Sequence, residues 1–140
     1  ARRRPGLAVS AEIGEGLSIS AREIDIRRLV NNVLTNAERY GKTPGKDLAE
    51  VDMVCRREGD EVAIVFSDRG IGVPDEDLER MLRPFTRMDN ARGQANGSGL
   101  GLAIVSRIAQ RYRGHVRLAN RPDGGLVVSV WFPAAKSTKK

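Results

Sequence analysis

The hydrophobic pattern of this chain switches repeatedly between a period of two and a period of three to four, which excludes an all-helical or all-strand fold. Leu7, Val9, Ala11 and Ile13 alternate with Ala8, Ser10 and Glu12, as in a half-buried strand. Gly14 and Gly16 allow a turn, and residues 17–20 read as a second short strand. Ser20 and Glu23 have the spacing of a capping box and open a helix. Along it Ile26, Leu29, Val30, Val33, Leu34 and Ala37 fall on one face, which is expected to be buried. Two glycines and a proline in residues 41–46 break that helix.

Val51, Met53 and Cys55 then alternate, residues 56–60 turn, and residues 62–66 form a more deeply buried strand, so this pair reads as a hairpin. After Pro74, Asp75-Glu76-Asp77 and the apolar Leu78, Met81 and Leu82 predict a short helix with acidic groups at its N-terminal end. Residues 83–97 have weak periodicity and collect Pro84, Asn90, Gly93, Asn96 and Gly97, a long loop of the kind used as a lid or binding segment. Leu102, Val105, Ile108 and Ala109 describe another amphipathic helix from Gly101 to about Arg113, ended by Gly114. Residues 116–118 and 126–132 form a last hairpin through Pro122-Asp123-Gly124-Gly125. The order β-β-α-β-β-α-loop-α-β-β suits an α/β fold with helices on one face of a mixed sheet.

A length of 140 residues fits one domain. The net charge of +6 would by itself suit a nucleic-acid surface. However, Arg2, Arg3, Arg4, Lys136, Lys139 and Lys140 carry that whole excess at the two ends, and the body between them is neutral. No nucleic-acid partner is therefore expected. The single cysteine, Cys55, excludes an internal disulfide and a cysteine-based metal pattern, and fits a reducing compartment. No apolar run approaches the roughly 20 residues needed to cross a bilayer, and the start has no signal-peptide core. Because the chain begins at Ala1 without an initiator methionine, it is expected to be a fragment.

Three constellations carry possible chemistry. On the long helix Asn32, Asn36, Arg39 and Tyr40 share a strip beside the apolar stripe, whereas Arg27, Arg28, Asn31 and Thr35 point more nearly away. Asparagine is a mediocre helix former, so this pair at the rim of the core calls for hydrogen bonds or ligands. The amide oxygen of Asn36 suits Mg²⁺; bonding to neighbouring backbone is the alternative. Next, Asp68-Arg69-Gly70-Ile71-Gly72 follows the buried strand. Its carboxylate can accept from an exocyclic amine while the glycines let backbone approach a flat ring, or Asp68 simply caps a turn. Last, Gly97-Ser98-Gly99-Leu100-Gly101-Leu102 opens an apolar helix, and its unobstructed N–H groups can cradle phosphate; a flexible loop is the alternative.

Spacing removes two further phosphate motifs. Gly41-Lys42-Thr43 ends like a P-loop, but Asn36 stands where its first glycine belongs. Asp75 and Ile104 occupy the third-glycine positions of a Rossmann fingerprint.

Taken in order, Asn32-x-x-x-Asn36-Ala37-x-Arg39-Tyr40, Asp68-x-Gly70-x-Gly72, Pro84-Phe85 and Gly97-Ser98-Gly99-Leu100-Gly101-Leu102 resemble the N, G1, F and G2 boxes of sensor histidine kinases, nearest to osmosensor kinases of the EnvZ type. The match is to their catalytic and ATP-binding domain and covers about residues 17–132. It implies a two-layer α/β sandwich of the Bergerat type, shared with gyrase, Hsp90 and MutL, in which a mixed sheet packs on three helices and a mobile lid closes over ATP. Residues 1–16 are then a leading strand and turn, 17–133 the domain, and 134–140 a basic tail.

The resemblance also implies roles. Asn36 would hold Mg²⁺ with Asn32 beside it, Arg39 would meet phosphate, and Tyr40 would pack by the nucleotide. Lys42 would be a further phosphate contact. Asp68 would read the adenine amine, with Gly70 and Gly72 shaping the ring pocket. Phe85 and Arg87 would belong to the lid, Arg87 reaching the γ-phosphate, and Gly97, Ser98, Gly99, Leu100 and Gly101 would close over the triphosphate. Arg69 departs from the Asn or Asp common after the G1 aspartate.

The implied reaction is phosphoryl transfer from ATP to a histidine on a dimerisation domain outside this chain, and then to a response regulator. The only histidine, His115, opens a strand and reads as structural, so the fragment is not expected to phosphorylate itself. It is expected to be a monomer and the cytoplasmic part of a homodimeric inner-membrane sensor. A hydrolase of the same superfamily would need a glutamate base where Asn32 stands. A regulatory serine kinase is also compatible with this fold, as is a docking module without catalysis, although the intact Asn36, Asp68 and G2 glycines speak against the latter.

Overall fold

The computed structural model describes residues 6–83 and 101–135. Five strands, β1 (Leu7–Ile13), β2 (Ala49–Glu58), β3 (Glu61–Ser67), β4 (His115–Asn120) and β5 (Leu126–Pro133), form one sheet in the order β1-β2-β3-β5-β4. The helices are α1 (Glu23–Tyr40), α2 (Asp75–Leu78) and α3 (Gly101–Arg111), and a 3-10 turn at Arg80–Leu82 continues α2. The sheet is mixed: β1 runs parallel to β2, and every other pairing is antiparallel.

The helical stripe has the predicted centre and softer edges. Leu29, Val33 and Ala37 are buried, and Ile26, Val30 and Leu34 are half-buried. They meet Leu102, Val105, Ile108 and Ala109 of α3 over the sheet rows carrying Phe66, Val128 and Leu118, and Ile64, Val130 and Val116. On the sheet's opposite face His115 stacks on Trp131 with ring centres 4.6 Å apart, and the Trp131 indole N–H donates to Glu58 at 3.0 Å. His115 therefore has the structural setting expected of it.

Three local expectations are corrected. Residues 17–20 form no strand; Ile19 makes only an isolated bridge to Ala134. β1 takes its partner from β2, on the far side of α1, because a parallel pair needs a long crossover that the intervening helix supplies. The Ser20–Glu23 capping box does not close either. Arg22 is the N-cap, without a side-chain cap bond, and its carbonyl accepts from the N–H groups of Asp25 and Ile26. At the end of α3, Arg113 rather than Gly114 takes the left-handed turn, with φ 67°.

The start of α1 is anchored instead by Asp25, which is buried. Its carboxylate accepts hydrogen bonds from the Tyr112 hydroxyl and, at 3.2 Å, from the Arg111 guanidinium. Chiefly the Tyr112 bond, with the two Arg111 interactions adding to it against the cost of burial, holds the Asp25 pKa below the usual aspartate value. The end of α3 is thereby tied to the beginning of α1.

Two outcomes follow from this packing. Leu29→Ala removes a fully buried side chain and is expected to cost about 2–5 kcal/mol, read as a lower urea midpoint at unchanged slope. A depressed folded-state pKa gives stability that is complete above roughly pH 4 and lost as pH falls through the folded value. Urea midpoints measured from neutral to strongly acidic pH should therefore fall less steeply for Asp25→Asn than for the unaltered chain.

Candidate functional site

The last two turns of α1, the residues after β3 and the turn between β4 and β5 converge at one end of the sheet. Asn36, Asp68 and Leu126 line two adjoining cavities there. Val33, Ala37, Val51, Phe66 and Val128 complete the inner one, and Tyr40, Gly72, Val73 and Met81 the outer one. An apolar wall with few polar groups is the usual make-up of a small-molecule site.

Asp68 is the buried charge of this site, at 7% exposure. Its Oδ1 accepts from the backbone N–H groups of Gly70 at 2.9 Å and Leu126 at 3.0 Å. No described residue donates to Oδ2, which is thus a spare acceptor. Burial pushes the Asp68 pKa above the ordinary aspartate value, and the two backbone bonds and the Arg121 charge pull it part of the way back.

This placement depends on two glycines meeting back to back. A Cβ on Gly41 would lie 2.5 Å from Asp68 Oδ2, and one on Gly70 would lie 2.8 Å from the Gly41 Cα. Gly41, which ends α1 with its N–H on the Ala37 carbonyl, thus does more than break a helix. It lets the helix end rest directly against the Asp68 turn.

The remaining predicted residues are placed unevenly. Asn36 faces both cavities, whereas Asn32, one turn earlier and half-buried, lines neither. Tyr40 is half-exposed over the outer cavity; Arg39 and Lys42 are exposed, Lys42 lying in an isolated bridge to Ala49. Gly101 is the first residue of α3, half-buried. Phe85, Arg87, Gly97, Ser98, Gly99 and Leu100 lie outside the described residues. Arg69 pairs with Asp52 at 3.0 Å and Glu50 at 3.8 Å on β2.

Sequence reasoning placed the β4–β5 turn but missed its part in the site. The Arg121 guanidinium donates to the Asp68 carbonyl at 3.1 Å, and Asn120 bonds the backbone of Val73. Nothing local distinguishes either residue from an ordinary hairpin flank. Only Leu126, at the start of an alternating strand, carried a signal, and it was one of burial.

Comparison with known proteins places this geometry. Residues 21–136 match the family described as histidine kinase-, DNA gyrase B-, and HSP90-like ATPase. The sensor histidine kinase CpxA of Escherichia coli K12 is 40% identical over 108 residues, covering 76% of this chain and 22% of CpxA. The chain thus spans about a fifth of that relative's length. The mycobacterial sensor histidine kinase MprB superimposes with a TM-score of 0.79 at 23% identity, over 96% of this chain and 88% of that structure. The histidine kinase domain of the E. coli osmosensor EnvZ gives 0.66 at 28% identity, over 94% and 78%. The chain belongs to the histidine kinase-, gyrase- and HSP90-like ATPase family, with the Bergerat α/β fold, as an ATP-binding catalytic domain of the sensor histidine kinase type.

Proposed function

We propose that this domain holds MgATP at the Asn36–Asp68 cleft and passes its γ-phosphate to a histidine on a dimerisation domain of the same protein. The observation that carries this reading is one oxygen of a buried carboxylate to which no described residue donates. Asp68 Oδ1 is already saturated, so Oδ2 is left to accept from the adenine amine. Gly72 and Tyr40 border the ring, Gly70 lines neither cavity and acts through its N–H on Asp68 Oδ1, and Arg39 and Lys42, both exposed, are available to the phosphates.

The Asn36 amide oxygen fits a hard cation, and its position on both cavities supports a role for it beside the nucleotide. Asn36 would hold Mg²⁺ there, and the ion would supply charge neutralisation on the phosphates. The family resemblance assigns Phe85 and Arg87, with Gly97, Ser98, Gly99, Leu100 and Gly101, to the enclosure of the triphosphate, and Arg87 to its γ-phosphate; of these only Gly101 is among the described residues. In the transfer an imidazole nitrogen forms a bond to phosphorus as the bond to the β-phosphate oxygen breaks, ADP leaves, and the nitrogen's proton is released. Asn32 cannot take a proton from water, which favours transfer over hydrolysis.

A response regulator is the subsequent phosphate acceptor. The nucleotide-binding body is residues 17–133, with 1–16 leading in and 134–140 as a basic tail. The parent is a homodimeric inner-membrane sensor with this domain in the cytoplasm; among the described residues no helix is long and apolar enough to cross a membrane.

Titration of the chain with ATP and GTP, with and without Mg²⁺, tests the assignments. Asn36→Ala is expected to abolish most of the Mg²⁺-dependent gain in affinity. Asp68→Asn keeps an oxygen for the Gly70 and Leu126 N–H groups but replaces Oδ2 by a donor, so the fold should persist while ATP loses its advantage over GTP. A loss of about 1–3 kcal/mol in ATP binding is expected for this change. Unchanged affinities in both variants would refute the site. In a fusion to a CpxA dimerisation domain, γ-labelled ATP should leave acid-labile label on histidine; steady hydrolysis without label would overturn the transfer.

A further inference from the structure

We propose that Asn120, the last residue of β4, is a positioning residue for nucleotide binding, clamping the loop that carries Gly72 and Val73 so that it forms the outer rim of the cleft. This rests on the nucleotide reading above and extends it to a residue on a different element. The Val73 N–H donates to Asn120 Oδ1 at 3.0 Å, and Asn120 Nδ2 donates to the Val73 carbonyl at 2.7 Å and to Asp75 Oδ1 at 2.9 Å. Both backbone groups of Val73 are therefore held by one side chain 47 positions away.

Residues 71–74 belong to no helix or strand, so they have no ladder of their own to fix their height above the sheet. The Asn120 amide takes the place of a neighbouring strand, offering one acceptor and one donor in the spacing a peptide group would. Gly72 has φ +78°, and a Cβ there would lie 2.6 Å from Asn120 Oδ1. The glycine thus makes room for the clamp, a requirement separate from approach to a ring. Gly72 and Val73 line the outer cavity with Asp68 and Met81. The adjoining Arg121 holds the Asp68 carbonyl at 3.1 Å, so consecutive residues of one turn fix both ends of the loop. Through Asp75 the clamp reaches the first residue of α2, whose 3-10 continuation brings Met81 to the same cavity.

The test compares the unaltered chain with Asn120→Ala and Asn120→Gln, the second keeping the amide but moving it outward by one methylene. MgATP and MgGTP affinities are measured well below each melting temperature, together with hydrogen exchange at the Val73 amide. Both variants are expected to bind MgATP on the order of tenfold more weakly, the size of two neutral hydrogen bonds lost from positioning. The ratio of ATP to GTP affinity should shrink, and the Val73 amide should exchange faster. A lowered melting temperature with unchanged affinity in the folded variants would show a purely structural residue and overturn the proposal. Should Asn120→Ala fail to fold, Asn120→Gln decides; a Val73 amide that exchanges in the unaltered chain as fast as a free loop amide also refutes the clamp. If the unaltered chain does not bind MgATP, the nucleotide reading itself falls and this proposal with it, an outcome distinct from normal binding by the variants.

Discussion

The structure turns on the burial of one carboxylate where a helix ends against a strand. Asp68 lies beneath the last turn of α1, where removal from water disfavours its charge. Two backbone N–H groups answer that cost at a single oxygen, leaving the second oxygen without a donor among the described residues. The arrangement is possible because Gly41 and Gly70 present no side chains to each other. A rigid acceptor in an apolar recess is what amine recognition requires, since an unsatisfied buried acceptor gains more from a new hydrogen bond than one already solvated.

The rest of the domain keeps that recess in register. α1 brings Asn36 to the site with its final turns while its first turn is tied through Asp25 to Tyr112 and Arg111 at the end of α3. Between these points Leu29 and Val33 pack against α3 and the sheet in a continuous apolar layer. Most of the stabilisation belongs to that layer. The ion pairs at the surface, such as Arg27 with Glu23 and Arg56 with Glu58, are largely solvated and contribute little each.

Periodic features were legible in the sequence because they are local. The α1 stripe, the β2–β3 and β4–β5 hairpins and the helix after Gly101 each repeat a spacing that the backbone geometry imposes within a few residues. Asn36 and Asp68 could also be singled out, the first as a poor helix former on a half-buried strip and the second as a charge following an apolar strand. What failed was equally specific. The glycines after β1 suggested a hairpin, but the strand's hydrogen bonds go to β2 beyond the helix. The Ser20–Glu23 spacing suggested a cap, yet the helix enters from Arg22 and is secured by a residue at the end of α3. Asn120 and Arg121 carry no periodicity, and their partners are about fifty positions away in the chain.

The sequence by itself determined the elements, their buried faces and the residue types capable of gripping a nucleotide, because these follow from side-chain chemistry and short-range backbone repeats. Tertiary structure alone decided that β1 lies beside β2, that Gly41 meets Gly70 beside the Asp68 carboxylate, and that Asn120 and Arg121 bond the backbone of the segment after β3. Such contacts depend on how separate elements approach in space, and hydrogen-bond partners brought together by sheet order and helix packing leave no fixed interval in the chain by which to find them.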